Sequence, residues 1–265
     1  MLLCSSRRSL KSPFLALKPF ERWFGLRHQS SESRSHHHTV FVPRSASLYT
    51  SSMPNQLVGI VFDMDGTLTR PNLDFKAMYQ RCGVCTSKDL ILEIEAMPAE
   101  ERMRAWEIVD EMEEHAAQTA ELMDGVVPLA QFLSSKSIPM ALITRNSKAS
   151  IATFHERLWR PNNLPELKPA LCRAFKPTKP APDALLHIAE QWGAPPHHLL
   201  MVGDSPSNDV VSGRRAGAMT ALVDTGRRHF ESVGGKTNLV GESQPDFHVC
   251  QPDELISLLQ THFHI

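Results

Sequence analysis

The chain has 265 residues, a formal net charge of -1, 42% apolar residues and 22% charged ones. That length holds one large domain or one domain with an insertion, and the balanced charge favours neither nucleic acid nor an anionic membrane surface as a general partner. No apolar run approaches the ~20 residues that span a bilayer, and the five scattered cysteines (Cys4, Cys82, Cys85, Cys172 and Cys250) fit a reducing compartment better than a disulfide framework.

Residues 1–52 differ in kind from the rest. Their acids are Glu21 and Glu32, set against Arg7, Arg8, Lys11, Lys18, Arg22, Arg27, Arg34 and Arg44, with serine dense at both ends. An Arg-rich, Ser-rich, acid-poor amino terminus has the composition of an organellar transit peptide. Phe14 to Leu26 mixes aromatic and basic residues as a membrane-surface helix does. The Ser-rich part leans toward a plastid and the amphipathic part toward a mitochondrion, with the chloroplast ranked first. A plain disordered tail is the alternative on composition alone, and His36, His37 and His38 have no partner pattern for a metal.

Leu57 to Phe62 is a short, apolar, partly β-branched run that reads as a buried strand, and it leads into Asp63-Met64-Asp65-Gly66-Thr67. Two carboxylates one residue apart, then Gly, build a charged site at a strand's carboxyl end, where open α/β sheets bind ligands. The bland alternative is an acidic turn. Residues 70–124 then carry no convincing strand. Pro98 before Ala99-Glu100-Glu101 marks a helix start, and Met103, Trp106, Val109, Met112 and Ala116 recur at helical spacing as core of a small all-α cap. Cys82 and Cys85 form a CxxC there, but no second CxxC or paired His supports a zinc or redox role. Lys76, Tyr79 and Arg81 are as well explained by a solvated helix face as by substrate contact.

From there strands and helices alternate, which implies a parallel sheet covered on both faces. The expected helices are Val127–Lys136, Lys148–Leu158, Pro182–Trp192, Asp209–Ala216 and Pro252–Gln260. The expected strands after the first are Pro139–Ile143, Cys172–Phe175, Leu199–Val202, Thr220–Val223 and Phe247–Cys250. Ser147 is placed to cap one helix and Gly217 to stop another. The domain reading is 1–52 transit peptide, 53–69 with 125–265 as the α/β core, and 70–124 as the cap.

Three further segments converge on the edge that carries Asp63 and Asp65. The second strand ends in Thr144-Arg145-Asn146. Lys179 lies in Lys176-Pro177-Thr178-Lys179-Pro180-Ala181-Pro182-Asp183. Leu199 to Val202 ends in Gly203-Asp204, with Asp209 five residues on. Clustered carboxylates repel unless a cation joins them, and a hard divalent ion with oxygen ligands, Mg²⁺ above all, suits a site that also holds phosphate.

This combination of motifs, over about residues 55 to 260, resembles the haloacid dehalogenase superfamily, in its phosphatase branch with a helical cap. The resemblance implies a Rossmann-like core and a Mg²⁺-dependent phosphatase acting on a small phosphorylated metabolite, with no nucleic-acid or membrane partner; it leaves the oligomeric state open. By matching position, Asp63 is the nucleophile that forms an aspartyl-phosphate. Asp65 protonates the leaving oxygen and then takes a proton from water, and also offers its backbone carbonyl to the metal. Asp204 and Asp209 complete the metal site. Thr144, Arg145, Asn146 and Lys179 form the phosphate-binding edge, and Gly66 makes the turn that lets backbone amides approach it. Asn208 is the other placement for the second acid of the last motif, and Lys176 the fallback for Lys179. Dehalogenases lack the second acid, so Asp65 argues for C–O–P chemistry. A phosphomutase, which shares the aspartyl-phosphate, and a catalytically silent binding protein remain the other readings.

Overall fold

A computed structural model describes residues 56–229 and 238–265. The segment read as a transit peptide, 1–52, lies outside the described residues, and so does its triple histidine. Strand β1 (Gly59–Phe62) is followed by helices α1 (Phe75–Arg81), α2 (Leu90–Ala96) and α3 (Ala99–Thr119). The chain then alternates α4 (Val126–Ser135), β2 (Met140–Ile143), α5 (Lys148–Phe154), β3 (Ala170–Leu171) and α6 (Asp183–Gln191). It closes with β4 (Leu199–Gly203), α7 (Val211–Ala216), β5 (Met219–Val223), β6 (Phe247–Val249) and α8 (Glu254–His262).

The strands form one parallel sheet in the order β3-β2-β1-β4-β5-β6. Successive side chains of a strand face opposite sides, so a sheet covered on both faces needs apolar residues at every position. Ile60 and Phe62 of β1 enter a core with Leu129, Leu133 and Leu255 from α4 and α8. Val61, between them, enters a second core with Leu185 and Ile188 of α6. The chain leaves β1 for β2 on one side and returns to β4 on the other. The strand order therefore reverses between β1 and β4, and the crevice at their carboxyl ends is where such sheets bind ligands. Asp63 follows β1 and Asp204 follows β4 at that place.

Helices α1 to α3 carry a core of their own, built on Met78, Ile94, Ala105 and Val109. Asp74 and Asp89 start α1 and α2 by accepting the Ala77 and Leu92 amides. Met103, expected in this core, is 57% exposed, because the buried stripe of α3 runs through Ala105, Val109 and Glu113 instead. Val109 lies in that core and Trp106 and Met112 pack against it as expected, so Met103 alone of these departs from the stripe, which is led by residues four apart on one helix face.

Two other expectations need correction. The strand expected at Cys172–Phe175 lies at Ala170–Leu171, where Leu142 and Ile143 of β2 pair in register with Ala170 and Leu171. From Cys172 the chain turns, with the Phe175 amide donating to the Cys172 carbonyl, and this turn carries Arg173 toward the cap. The helix expected to run from Asp209 is preceded by a widened, π-helical turn at Pro206–Val210, started by Ser205, whose hydroxyl accepts the Asn208 amide. Ser147 does cap α5, accepting the Ser150 amide at 3.1 Å, and Gly217 ends α7 with φ of 78°. Among the described residues no helix is long and apolar enough to cross a membrane.

Candidate active site

A cavity of about 330 Å³ lies between the sheet's carboxyl edge and the helical cap. Asp63, Asp65, Thr144, Arg145, Asn146, Lys179, Asp204 and Asp209 all line it. Sequence separations of more than a hundred residues are closed here by strand geometry. Asp63 continues the sheet ladder, its amide donating to the Val202 carbonyl at 2.9 Å, so its position relative to β4 is set by the backbone.

Lys179 is the hub of the site's floor. Its side chain is only 1% exposed, and the ammonium donates to Asp63 Oδ1 and Asp209 Oδ1, both at 2.6 Å, and to the Ile143 carbonyl at 3.0 Å. Three acceptors satisfy its three protons. Burial works against the charge, but the two carboxylates outweigh it and hold the lysine above its ordinary pKa. Lys176 lies elsewhere, paired with Glu95 of the cap.

Asp209 is equally enclosed. The widened turn after Ser205 swings it inward, so that Oδ2 accepts the Ser205 amide at 3.0 Å while Oδ1 accepts from Lys179. Gly203 makes room for it, because a Cβ there would collide with the Asp209 side chain. Asn208, the other placement considered, bonds Ser205 Oγ and receives Arg145 instead. Gly66 is similarly required: its φ is 76°, and a Cβ would come within 2.5 Å of Asp204 Oδ2.

The acids of the site carry perturbed proton affinities. Burial, with the Asp63 carboxylate adding to it, pushes Asp65 up to about 7. The same two causes raise Asp204 to about 6, against the pull of Arg228, which bonds Asp204 Oδ2 at 3.2 Å. Asn146 Nδ2 donates to Asp65 Oδ2 at 2.6 Å, and Thr69 lies 3.4 Å from Oδ1, so the Asp65 carboxyl is held in one orientation. Thr144 Oγ1 accepts the Asn146 amide at 3.1 Å, which leaves its own proton to donate into the cavity. Asn146 and Arg145, read as phosphate contacts, are committed to other partners here. Arg145 spans to the cap, donating to both oxygens of Asp89 at 2.7 Å.

Asp63, Asp204 and Asp209 each offer a carboxylate oxygen, and these atoms lie within 4.8 Å of one another. The Asp65 side chain stands outside that cluster. An all-oxygen, carboxylate-rich donor set suits a hard divalent cation, and the repulsion that raises Asp204 is what such an ion relieves.

Three residues of the site escaped the sequence reading. Glu113 of α3 is buried; it takes Arg173 at 2.5 and 2.6 Å and the Ser147 amide at 3.1 Å, tying the cap to the start of α5. Arg173 also pairs with Asp110 and lies 4.9 Å from the Trp106 ring centroid. Asp89 is the third. The spacing of Glu113 from Ala105 and Val109, four residues at a time, was a signal available in the sequence; Arg173 and Asp89 had none. The Cys82 and Cys85 thiols take separate partners, the Ala105 carbonyl and Ser87, and Cys82 is buried while Cys85 is exposed.

Residues 58–217 match the family model of haloacid dehalogenase-like hydrolases. The chain is 38% identical over 230 residues to a haloacid dehalogenase-like hydrolase domain-containing protein of Arabidopsis thaliana, covering 82% of this chain and 89% of that one. It is 28% identical over 230 residues to the N-acetylmuramic acid 6-phosphate phosphatase of Pseudomonas aeruginosa, covering 77% and 95%. Among solved structures, a hydrolase from Pseudomonas syringae superposes with a TM-score of 0.60 at 19% identity, over 78% of this chain and all of that one, a likeness of fold.

Proposed function

The chain belongs to the haloacid dehalogenase-like hydrolases, and from that premise we propose that it is a Mg²⁺-dependent phosphatase that hydrolyses a small phosphomonoester through an aspartyl-phosphate on Asp63. The observation that carries this reading is the pairing of two carboxyl groups with opposed environments at one strand end. Asp63 is steadied by Lys179, whereas Asp65, two residues on, has a pKa of about 7. One acid is equipped to attack and the other to hold a proton near neutrality.

In the first step an Asp63 oxygen bonds to phosphorus as the bond from phosphorus to the ester oxygen breaks. Asp65 passes its proton to the departing oxygen, so the alcohol leaves neutral. Water then attacks phosphorus, Asp65 takes its proton, and the bond to Asp63 breaks to release phosphate. Thr144 supplies a hydrogen-bond donor where charge accumulates on the phosphoryl oxygens, and Lys179, enclosed between Asp63 and Asp209, supplies a fixed positive charge beneath the nucleophile. Asn146, by bonding one Asp65 oxygen, leaves the other to carry the proton. Asp63 and Asp204, with Asp209 and the Asp65 carbonyl in support, would hold the Mg²⁺, which supplies charge neutralisation between the anionic nucleophile and the phosphoryl group. The cap, bound to the core through Asp89–Arg145 and Glu113–Arg173, covers part of the cavity and so narrows the access of bulk water to this chemistry.

Hydrolysis of a generic phosphoester with Mg²⁺ and with EDTA is the direct assay, and activity that survives EDTA refutes the metal requirement. Stability gives an independent readout. In metal-free protein the pKa values of Asp65 and Asp204 lie above the ordinary 3.8. The folded state therefore binds protons that the unfolded chain releases, and their contribution is lost as pH rises from about 4 through about 7. The expected result is a lower Tm in EDTA at pH 8 than at pH 5.5, restored by Mg²⁺ at pH 8. Asp204→Asn raises the metal-free Tm at pH 8 and removes the response to Mg²⁺; an unchanged Mg²⁺ response in that variant contradicts the assigned ligand set.

For residues 1–52 we propose organellar import, to a chloroplast before a mitochondrion, on the strength of the Arg- and Ser-rich, acid-poor composition. Fused to a fluorescent protein, the segment is expected to direct it into plastids in a plant cell, and diffuse cytosolic fluorescence rejects the idea.

A further inference from the structure

We propose, resting on the phosphatase reading above, that the alcohol released by this enzyme is uncharged and largely apolar. The cavity has two unlike ends. Its floor is the polar Asp63, Lys179 and Thr144 constellation, and its cap side is formed largely by Met78, Leu90, Ile91, Ile94, Trp106 and Val109, together with Asn72, Tyr79 and Glu113, whose polar atoms bond Ala116 and Thr119, the Lys88 carbonyl and Arg173. The part of a substrate beyond its phosphoryl group meets this apolar wall.

The cations around the cavity strengthen the case. A second anionic group on the substrate, such as a carboxylate, needs an arginine or lysine whose charge is not already satisfied. Arg145 gives its guanidinium to both oxygens of Asp89 at 2.7 Å. Arg173 is taken by both oxygens of Glu113 and by Asp110, with one face toward Trp106. Arg228 is shared between Asp204 and Asp224. Lys179 is enclosed in the floor between Asp63 and Asp209. Among the described residues, each cation that lines the cavity thus has a carboxylate of the protein as partner. A carboxylated leaving group would have to displace one of these or bury its own charge against leucine and isoleucine, and both are costly. An aryl or short alkyl group loses nothing on entering, and it gains from leaving water.

The volume limits this group as well. About 330 Å³ is at the small end of ligand sites, and the phosphoryl group occupies part of it. A single ring or a short branched chain can be accommodated wholly within it.

Benzyl phosphate and 4-carboxybenzyl phosphate release the same kind of primary alcohol and differ in one remote charge, so their kcat/KM ratio reads the cavity wall alone. Benzyl phosphate is expected to be favoured by about 10²-fold, the penalty for leaving a buried charge without a partner. Asp89→Asn removes the carboxylate that neutralises Arg145 while retaining a side chain able to cap α2 at the Leu92 amide. In that variant, checked for an unchanged circular dichroism spectrum, the ratio falls by about tenfold, toward the carboxylated ester, as the exposed guanidinium becomes available. Equal or faster hydrolysis of the carboxylated ester by the wild-type enzyme overturns the inference and leaves the phosphatase reading intact. A ratio unmoved by Asp89→Asn also overturns it, since pairing then does not control selection. Absence of phosphate release from every ester, 4-nitrophenyl phosphate included, removes the phosphatase reading and this inference together.

Discussion

Asp63→Asn is expected to lower kcat by about 10⁴-fold or more on any phosphoester while the protein stays folded, the scale of loss seen when a covalent nucleophile is deleted. Asn keeps the shape of the side chain and its place beside Lys179, but an amide oxygen forms no stable bond to phosphorus. The substitution also takes a negative charge from the centre of an acidic cluster. Asp63 is among the causes that raise Asp65, Asp204 and Asp209 above the ordinary carboxylate pKa. Removing it eases that repulsion, so Tm measured in EDTA at pH 8 does not fall and is expected to rise slightly. Loss of activity without loss of stability separates a chemical role from a structural one. A variant that retains more than about a tenth of wild-type kcat shows that another group attacks phosphorus.

Asp65→Asn has a different signature, because a general acid matters in proportion to how badly the leaving oxygen needs a proton. For an alkyl ester the expected loss in kcat is about 10³-fold, within the range general acid catalysis supplies. For 4-nitrophenyl phosphate, whose phenolate departs readily without help, transfer to Asp63 is much less affected. The same residue also activates water in the second step, so with the aryl ester the second step becomes the slow one. Wild-type kcat/KM for the alkyl ester should decline as rising pH takes the proton from Asp65, whose carboxyl burial and the Asp63 charge hold above the ordinary range in the metal-free protein. In Asp65→Asn that limb is expected to vanish. Equal losses in kcat/KM, which reports transfer to Asp63 and not the second step, for alkyl and aryl esters contradict the assignment of Asp65 as the proton donor.

Much of this site was legible in the chain because its parts lie at strand ends. Leu57 to Phe62 and Leu199 to Val202 carry no polar side chain, the pattern of strands buried on both faces, and the first runs directly into Asp63 and the second, past Gly203, into Asp204. Parallel strands with those residues at their carboxyl ends have only one edge on which to display them. Lys179 could be told from Lys176 by its Pro-x-Pro-Asp surroundings, and the structure buries Lys179 in the floor while Lys176 reaches the cap. The short strand was misplaced because Cys172 to Phe175 has ordinary strand composition, and what decides the matter is register against Leu142 and Ile143, a long-range property. The burial of Asp209 depends on a widened turn that no local propensity announces.

The ties between cap and core were the least legible part. Asp89 and Arg145 are 56 residues apart, and Glu113 and Arg173 are 60 apart; all four belong to types usually found on solvated surfaces. Glu113 sits in a run of similar acids, Glu111, Glu113 and Glu114, and only helical phase separates it from its neighbours. These pairs position the cap over the cavity, so the features proposed to select substrate are less evident in the sequence than the chemical ones.

The most direct test of the account is to find the covalent bond on which it depends. Asp65→Asn mixed with Mg²⁺ and 4-nitrophenyl phosphate, quenched in acid within the first turnovers and digested, should yield a phosphorylated peptide with the phosphoryl group on Asp63. A burst of 4-nitrophenol should precede steady release of phosphate. Phosphorylation of any other side chain, or phenol and phosphate appearing together from the first turnover with no labelled peptide, contradicts the account.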